Sequence, residues 1–472
     1  MSKSVIRPDM VQINAWSPGC DNVAPLSKAN ALATKDVSQV DDRRGERLAP
    51  PVKADPRDWR HPEVGWGLVL QDDLDLEAAV KARGEDAPEP LRRLLKDRAG
   101  ALVLRWSKSQ GTRSLRRYYT DGVAEQDLEI AAPRHGTKPG CLPRYLLIYG
   151  SPQQIPWSVQ FALNLTFCVG RLDLEAAGLE NYVNALLSDW EGIDSNPRAP
   201  VVWSVDHGKQ DITWLMARAI ANPLAKAFQS DTDLAENVHL KGAAATAQNL
   251  LTSLTERKPA LVVSSSHGAT GPLNDEPLLV EQLGLLVDVE KSPVALAGFK
   301  DWSPRGAIWY AQACCSAGSN APSRYGSVVD ADTGVGRILA GVSKAAGACV
   351  APLPRLLLGS EAPLRAFVGH VEPTFDWTLR QPDTLEVLTG AVTNALYNEL
   401  YQPGLRMPIG LALQRVFAEA GAYFTEWATE KQGINDNVPG SINRALYSQL
   451  VAMDRQSLVV LGDPTVTLPP FL

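Results

Sequence analysis

From Gly65 onward, short unbroken apolar runs alternate with longer stretches in which apolar positions recur at helical spacing. WGLVLQDD predicts a strand ending in acids. DLEAAVKARGEDAPEPLRRLLKDRAG predicts helical stretches broken by proline, and ALVLRWSK predicts a second strand. RYLLIYGSPQQIP (144–156) reads as a buried strand with Gly150-Ser151-Pro152 as its exit turn. FCVGRLDLEAAGLENYVNALLSDWEG (167–192) reads as a short strand and then a helix with Leu179, Val183, Leu186 and Leu187 on one face. After a linker, DSNPRAP (194–200), a second series begins. APVVWSVDHG, NVHLKGA, LVVSSS, AIWYAQA and ACVAPLP predict strands. DITWLMARAIANPLAKAFQ, ATAQNLLTSLTERKP and TGVGRILAGVSKAAG predict the helices among them.

Strands alternating with helices imply an α/β fold with a parallel-rich sheet covered by helices on both faces. Ligand sites in such sheets lie beyond the carboxyl ends of the strands. The pattern divides the chain into an extended arm (1–62), rich in Pro, Asp, Arg and Lys, a smaller α/β subdomain (63–195) and a main domain (196–472).

Composition narrows the function. The 472 residues are 45% hydrophobic and 21% charged, as in an ordinary globular chain, and the net charge of −7 offers no electrostatic footprint for nucleic acid. No run of about 20 apolar residues predicts a membrane span, and no secretory signal is visible. The six cysteines have neither framework nor zinc spacing, so reduced thiols and a cytoplasmic location are expected.

Two strand ends carry the chemistry. LVVSSSHG (261–268) delivers His267, and AIWYAQACCSAG (307–318) delivers Cys314, 47 residues later (314 − 267). A Gln-Ala-Cys core with a histidine about 50 residues upstream resembles the caspase signature, and that resemblance implies a cysteine nucleophile with its acid–base partner. Gly268 lets a substrate backbone approach, and the Gly268 and Cys314 N–H groups are the candidate oxyanion donors. His-Gly alone is weak, since His135-Gly136 and His207-Gly208 repeat it. The bland alternatives are a small buried hydrophobe for Cys314 and a loop-bonding imidazole for His267. Cys315 becomes the nucleophile if the strand register differs by one. Candidate pocket residues are Asp206, His207, Cys315, Arg324, Asp330 and Asp332. Arg324 suits an acidic P1 residue and Asp330 or Asp332 a basic one; solvated loop charge is the plain reading of each. Asp275, Glu276 and Glu281 lack EF-hand spacing, and no metal site is expected. His370, among Phe367, Phe375 and Trp377, reads as core or as a side wall of a cleft.

These motifs resemble the cysteine peptidase clan that contains caspases, legumains, clostripain, gingipains and separase. The gingipain type matches over the longest stretch, about 144–470. RYLLIYGSPQQIP with FCVGRLDL resembles its non-catalytic subdomain, and SLVVLGDPTVTLP (457–469) resembles the closing strand shared by gingipains and the bacterial CHAT domains. PIGLALQRVFAEA (408–420) fits the helix before it. The resemblance implies a caspase-like sheet and a cysteine endopeptidase acting on protein substrates through His267 and Cys314. It needs no cofactor and is open to control by an activating protein partner or ligand. An intracellular regulated protease of stress or defence fits the absent signal. Two features depart from the pattern: Gly318 stands four residues after Cys314, and the cysteine is doubled. A catalytically inert scaffold and acyl transfer to a non-peptide acceptor are the rival expectations.

Overall fold

Every side chain of the runs VVWS, LVVSS, IWYAQ, AFVGH and LVVLG is buried. Alternate side chains point to opposite faces, so these strands are covered on both sides, as their unbroken apolar character requires. The computed structural model describes residues 10–20, 22–25, 54–192, 194–300, 302–402 and 404–471.

Three short strands come first: β1 (Met10–Gln12), β2 (Ala15–Trp16) and β3 (Val23–Pro25). The first α/β series supplies β4 (Trp66–Gln71), β5 (Leu102–Trp106), β6 (Ser114–Arg117), β7 (Gln126–Glu129), β8 (Tyr145–Tyr149) and β9 (Cys168–Leu172). The second supplies β10 (Val201–Ser204), β11 (Val238–Lys241), β12 (Leu261–Ser265), β13 (His267–Ala269), β14 (Leu286–Val287) and β15 (Ile308–Gln312). It ends with β16 (Gly318–Ser319), β17 (Cys349–Val350), β18 (Ala366–His370) and β19 (Leu458–Gly462).

Twelve of these form one sheet in the order β11-β10-β12-β15-β18-β19-β9-β8-β4-β5-β6-β7. Its pairs are parallel except β18–β19, β5–β6 and β6–β7. The fold is therefore mixed α/β, with a large, mostly parallel sheet flanked by helices. The two series meet edge to edge, β9 lying parallel to β19, and one hydrophobic core runs through both.

The periodic stretches become the expected helices, among them 78–83, 89–97, 176–187, 212–230, 247–257 and 334–346. ACVAPLP differs from its expected strand. Only Cys349–Val350 pairs, with β16, and Pro352 then opens the helix Pro352–Leu358. Proline suits a first helical turn, where its missing N–H leaves no orphan donor. The run around His370 instead makes the inner strand β18. Of the expected arm, 10–20, 22–25 and 54–62 are described; the remainder lies outside the described residues. Among the described residues, no helix is long and apolar enough to cross a membrane.

Candidate functional site

β12 and β15 are neighbouring parallel strands, with Ser265 paired to Gln312. His267 and Cys314 each stand two residues beyond that pair, so one edge of the sheet presents both at the same level. Past β12 the chain bends into β13, whose Gly268 passes over the backbone turn at Cys314. A Cβ on Gly268 would sit 1.9 Å from Cys314 O and 2.8 Å from Cys314 N, so only glycine allows this approach.

His267 is fully buried, and its Nε2 lies 2.9 Å from Asp211 Oδ2. A carboxylate only accepts, so Nε2 carries a proton. Nδ1 has no partner among the described residues. Asp211 is held from the other side as the N-cap of helix 212–216. Its Oδ1 accepts from Thr213 N–H at 2.9 Å and from Thr213 Oγ1 at 2.6 Å. Burial pushes the Asp211 carboxyl up. The His267 hydrogen bond and charge, with the Thr213 donors, more than reverse this and hold it well below the usual carboxylate range. Sequence reasoning missed Asp211. An aspartate before ITWLMARA is a readable cap, but nothing local ties it to a histidine 56 residues on.

His207 lies parallel to His267, with centroids 5.6 Å apart, and its Nε2 donates to Asp288 O at 3.0 Å. Burial pushes the His207 ring down, and the neighbouring His267 adds to this. His207, Asp211 and His267 each place one ligand atom within 4.8 Å of the others. Their described hydrogen bonds use Asp211 on both oxygens and His207 and His267 on Nε2, while Nδ1 of each histidine has no partner among the described residues.

Cys314 is buried, and its Sγ accepts Thr374 N–H at 3.2 Å. Burial pushes the thiol up, against the lowering effect of the Thr374 and Asn14 backbones. Cys315 follows at φ +55°, a left-handed turn that breaks strand alternation. Its N–H donates to Glu372 O at 3.0 Å, and its thiol too is pushed up by burial. Both cysteines are fully buried and belong to one apolar cluster with Val335 and Ile338. Gly318 has its own reason: a Cβ there would lie 2.1 Å from Cys349 O, across the β16–β17 pair.

The remaining expected pocket residues lie as follows. Asp206 pairs with Arg218 at 3.0 Å on the partly exposed rim. Arg324 donates through its guanidinium to Gln456 and lies over Phe161, and its backbone N–H meets Glu372. Asp330 and Asp332 are exposed ahead of helix 334–346. None of Arg324, Asp330 and Asp332 has a described contact with His267 or Cys314. His370 is a core residue behind the site, near Gln312 Oε1 and Ser457 Oγ at 3.3 Å, and burial pushes its ring down to about 3.

Backbone of the chain's own β1–β2 segment lies between β13 and the stretch 374–376. Asn14 N–H donates to Thr374 O at 3.0 Å, Gly268 N–H donates to Asn14 O at 3.2 Å, and Thr270 N–H donates to Trp16 O at 2.9 Å. Trp16 lies against His267 at 5.8 Å.

No protein-family model matches the chain, and no curated protein matches it in sequence. Among solved structures it is similar to the Arg-specific cysteine proteinase gingipain R, with a TM-score of 0.43, 12% identity, and coverage of 86% of this chain and 78% of that one. It is also similar to a complex of the Porphyromonas gingivalis RgpB pro- and mature domains, with a TM-score of 0.44, 12% identity, and coverage of 86% and 80%.

Proposed function

We propose that the protein is a cysteine peptidase with Cys314 as nucleophile and His267 as acid–base catalyst. The observation that carries this is the strand register, which brings a buried thiol and an imidazole pinned through Nε2 and bare at Nδ1 to the same level of one sheet edge. Cys314 Sγ attacks a peptide carbonyl carbon, and its proton passes to His267 Nδ1. The same nitrogen protonates the leaving amine as the C–N bond breaks. Water then hydrolyses the thioester, with His267 as base. Asp211 is a positioning residue, fixing the tautomer and holding the imidazolium. Gly268 N–H, which already meets a peptide carbonyl, is the oxyanion donor, with Cys314 N–H as its expected companion.

Hydrolysis of a peptide library by the wild type, Cys314→Ala and Cys315→Ala tests the assignment. Loss of turnover by about 10⁴-fold in Cys314→Ala alone is expected. Turnover that survives Cys314→Ala overturns it.

A further inference from the structure

The backbone of 11–16 runs between β13 and the stretch 374–376, bonded to both. On one side of Asn14, Ile13 bridges Phe375 in antiparallel fashion, and Gln12 N–H donates to Asp376 Oδ1 at 3.2 Å. On the other side, Ala15–Trp16 runs parallel to Gly268–Ala269. Between them the Asn14 carbonyl rests on Gly268 N–H, and the Cys314 thiol accepts from Thr374 N–H, one residue before Phe375. The Asn14 side chain is fully buried. Its Nδ2 donates to Ser266 O at 2.6 Å and approaches Gln312 O at 3.5 Å, while Oδ1 has no partner among the described residues.

Backbone carbonyls make the floor of this pocket. They accept an amide's N–H but repel a carboxylate, and no described cation contacts Asn14 to reverse that. A pocket closed around asparagine also leaves no path for a lysine or arginine stem. Gln312 contributes only its carbonyl here, because its side chain turns inward to Tyr310 and His370.

We propose that the cleft takes peptides with asparagine at P1, and that segment 11–16 is the chain's own tethered occupant, seated with Asn14 at P1 and Ala15 at P1′. This rests on the peptidase reading. While it is seated, the segment shuts other peptides out and keeps the Cys314 thiol from solvent. The hairpin of β1 with β3 holds it there, with Ile13 N–H donating to Asn22 O at 2.9 Å. Attack by Cys314 on Asn14 would break the Asn14–Ala15 bond, give the proton to the Ala15 amine and leave Asn14 as a thioester for water to release.

The test uses full-length wild type and Ile13→Glu, which places a charge at a fully buried docking position. Each is assayed against fluorogenic Val-Gln-Ile-Xaa, with Asn, Asp, Gln, Arg or Lys as Xaa. Ile13→Glu should cleave the asparagine peptide at least about tenfold faster than the others, because a site built on one substrate N–H rejects analogues that lack or misplace it. It should also exceed wild type on that peptide by about tenfold or more, since competition from the tethered segment is removed. Preference for another P1 residue overturns the specificity while the peptidase stands. Equal rates in both chains overturn the occlusion. Silence from both chains on every peptide overturns this proposal and the peptidase reading together. If Ile13→Glu melts early, Asn14→Arg repeats the comparison by changing only the seated residue.

Discussion

Arg171 and His267 both lie buried near the carboxyl end of a sheet strand, one in each α/β series, yet their hydrogen bonding differs completely. Arg171 gives Nε to Gln160 at 2.9 Å, Nη1 to Gly150 O at 2.9 Å and Nη2 to Ile155 O at 2.8 Å, with its guanidinium over Trp157. His267 has Nε2 satisfied by Asp211 and Nδ1 satisfied by nothing described. The same architecture has therefore produced a saturated structural pin and a half-satisfied group. An unmet polar atom in a buried position costs stability, and a reacting group that met Nδ1 would offset that cost. The contrast extends to the backbone: the turn behind Cys314 includes left-handed residues at Cys315 and, opposite it, Glu372 with φ +74°.

Exchanging the roles of the two regions is the strongest way to break this comparison. Asp211→Asn keeps a good helix cap but loses the carboxylate, so kcat should fall by about 10²–10⁴-fold with little change in melting temperature. Steady-state kinetics with a thermal melt checks both halves of that statement. Arg171→Ala should do the opposite. It strands Gly150 O, Ile155 O and Gln160, each costing about 1–3 kcal/mol, while the folded fraction keeps its turnover. Equal loss of activity in the two variants, per folded molecule, would erase the distinction.

The stretch opposite the nucleophile sharpens the comparison through pH. Burial pushes the Glu372 carboxyl up to about 7 and the Asp454 carboxyl up to about 7. Between the ordinary carboxylate range and pH 7 the folded chain holds these protons and the unfolded chain does not. Their contribution is therefore largest below about pH 4, is lost as pH rises to about 7, and is flat above that. The change is on the order of 3 kcal/mol per group, and Glu372→Gln or Asp454→Asn should remove its share of the slope in denaturant melts across pH 4–8. The smallest effect belongs to Asp206→Ala, whose partly exposed pair with Arg218 is worth under about 1 kcal/mol and whose loss should leave P1 preference unchanged.

The sheet was legible because buried parallel strands write themselves as unbroken apolar runs between helical periods. The placement of His267 and Cys314 at neighbouring strand ends was legible for a related reason: each ends such a run, and adjacent parallel strands bring equal offsets to one level. Asp211 was not, since a cap reads the same whether or not its second oxygen finds an imidazole. The surroundings of Asn14 were harder still. Arg324, Asp330 and Asp332 are charges near Cys314 in sequence, whereas the groups around Asn14 are the carbonyls of Ser266 and Gln312. Backbone oxygens leave no mark in a sequence, and Asn14 lies 252 residues from the nearer of them. The ACVAPLP run shows the converse, an apolar stretch whose proline starts a helix where a strand was expected.

The most direct measurement is to treat the Ile13→Glu chain with a Val-Gln-Ile-Asn peptide bearing a thiol-trapping electrophile and to map the adduct by tandem mass spectrometry. A single adduct on Cys314, slowed at least about tenfold when His267 is changed to alanine, is the expected result. An adduct on Cys315 or Cys20, or labelling of Cys314 that ignores His267, would contradict the pairing of thiol and imidazole on which the peptidase assignment stands.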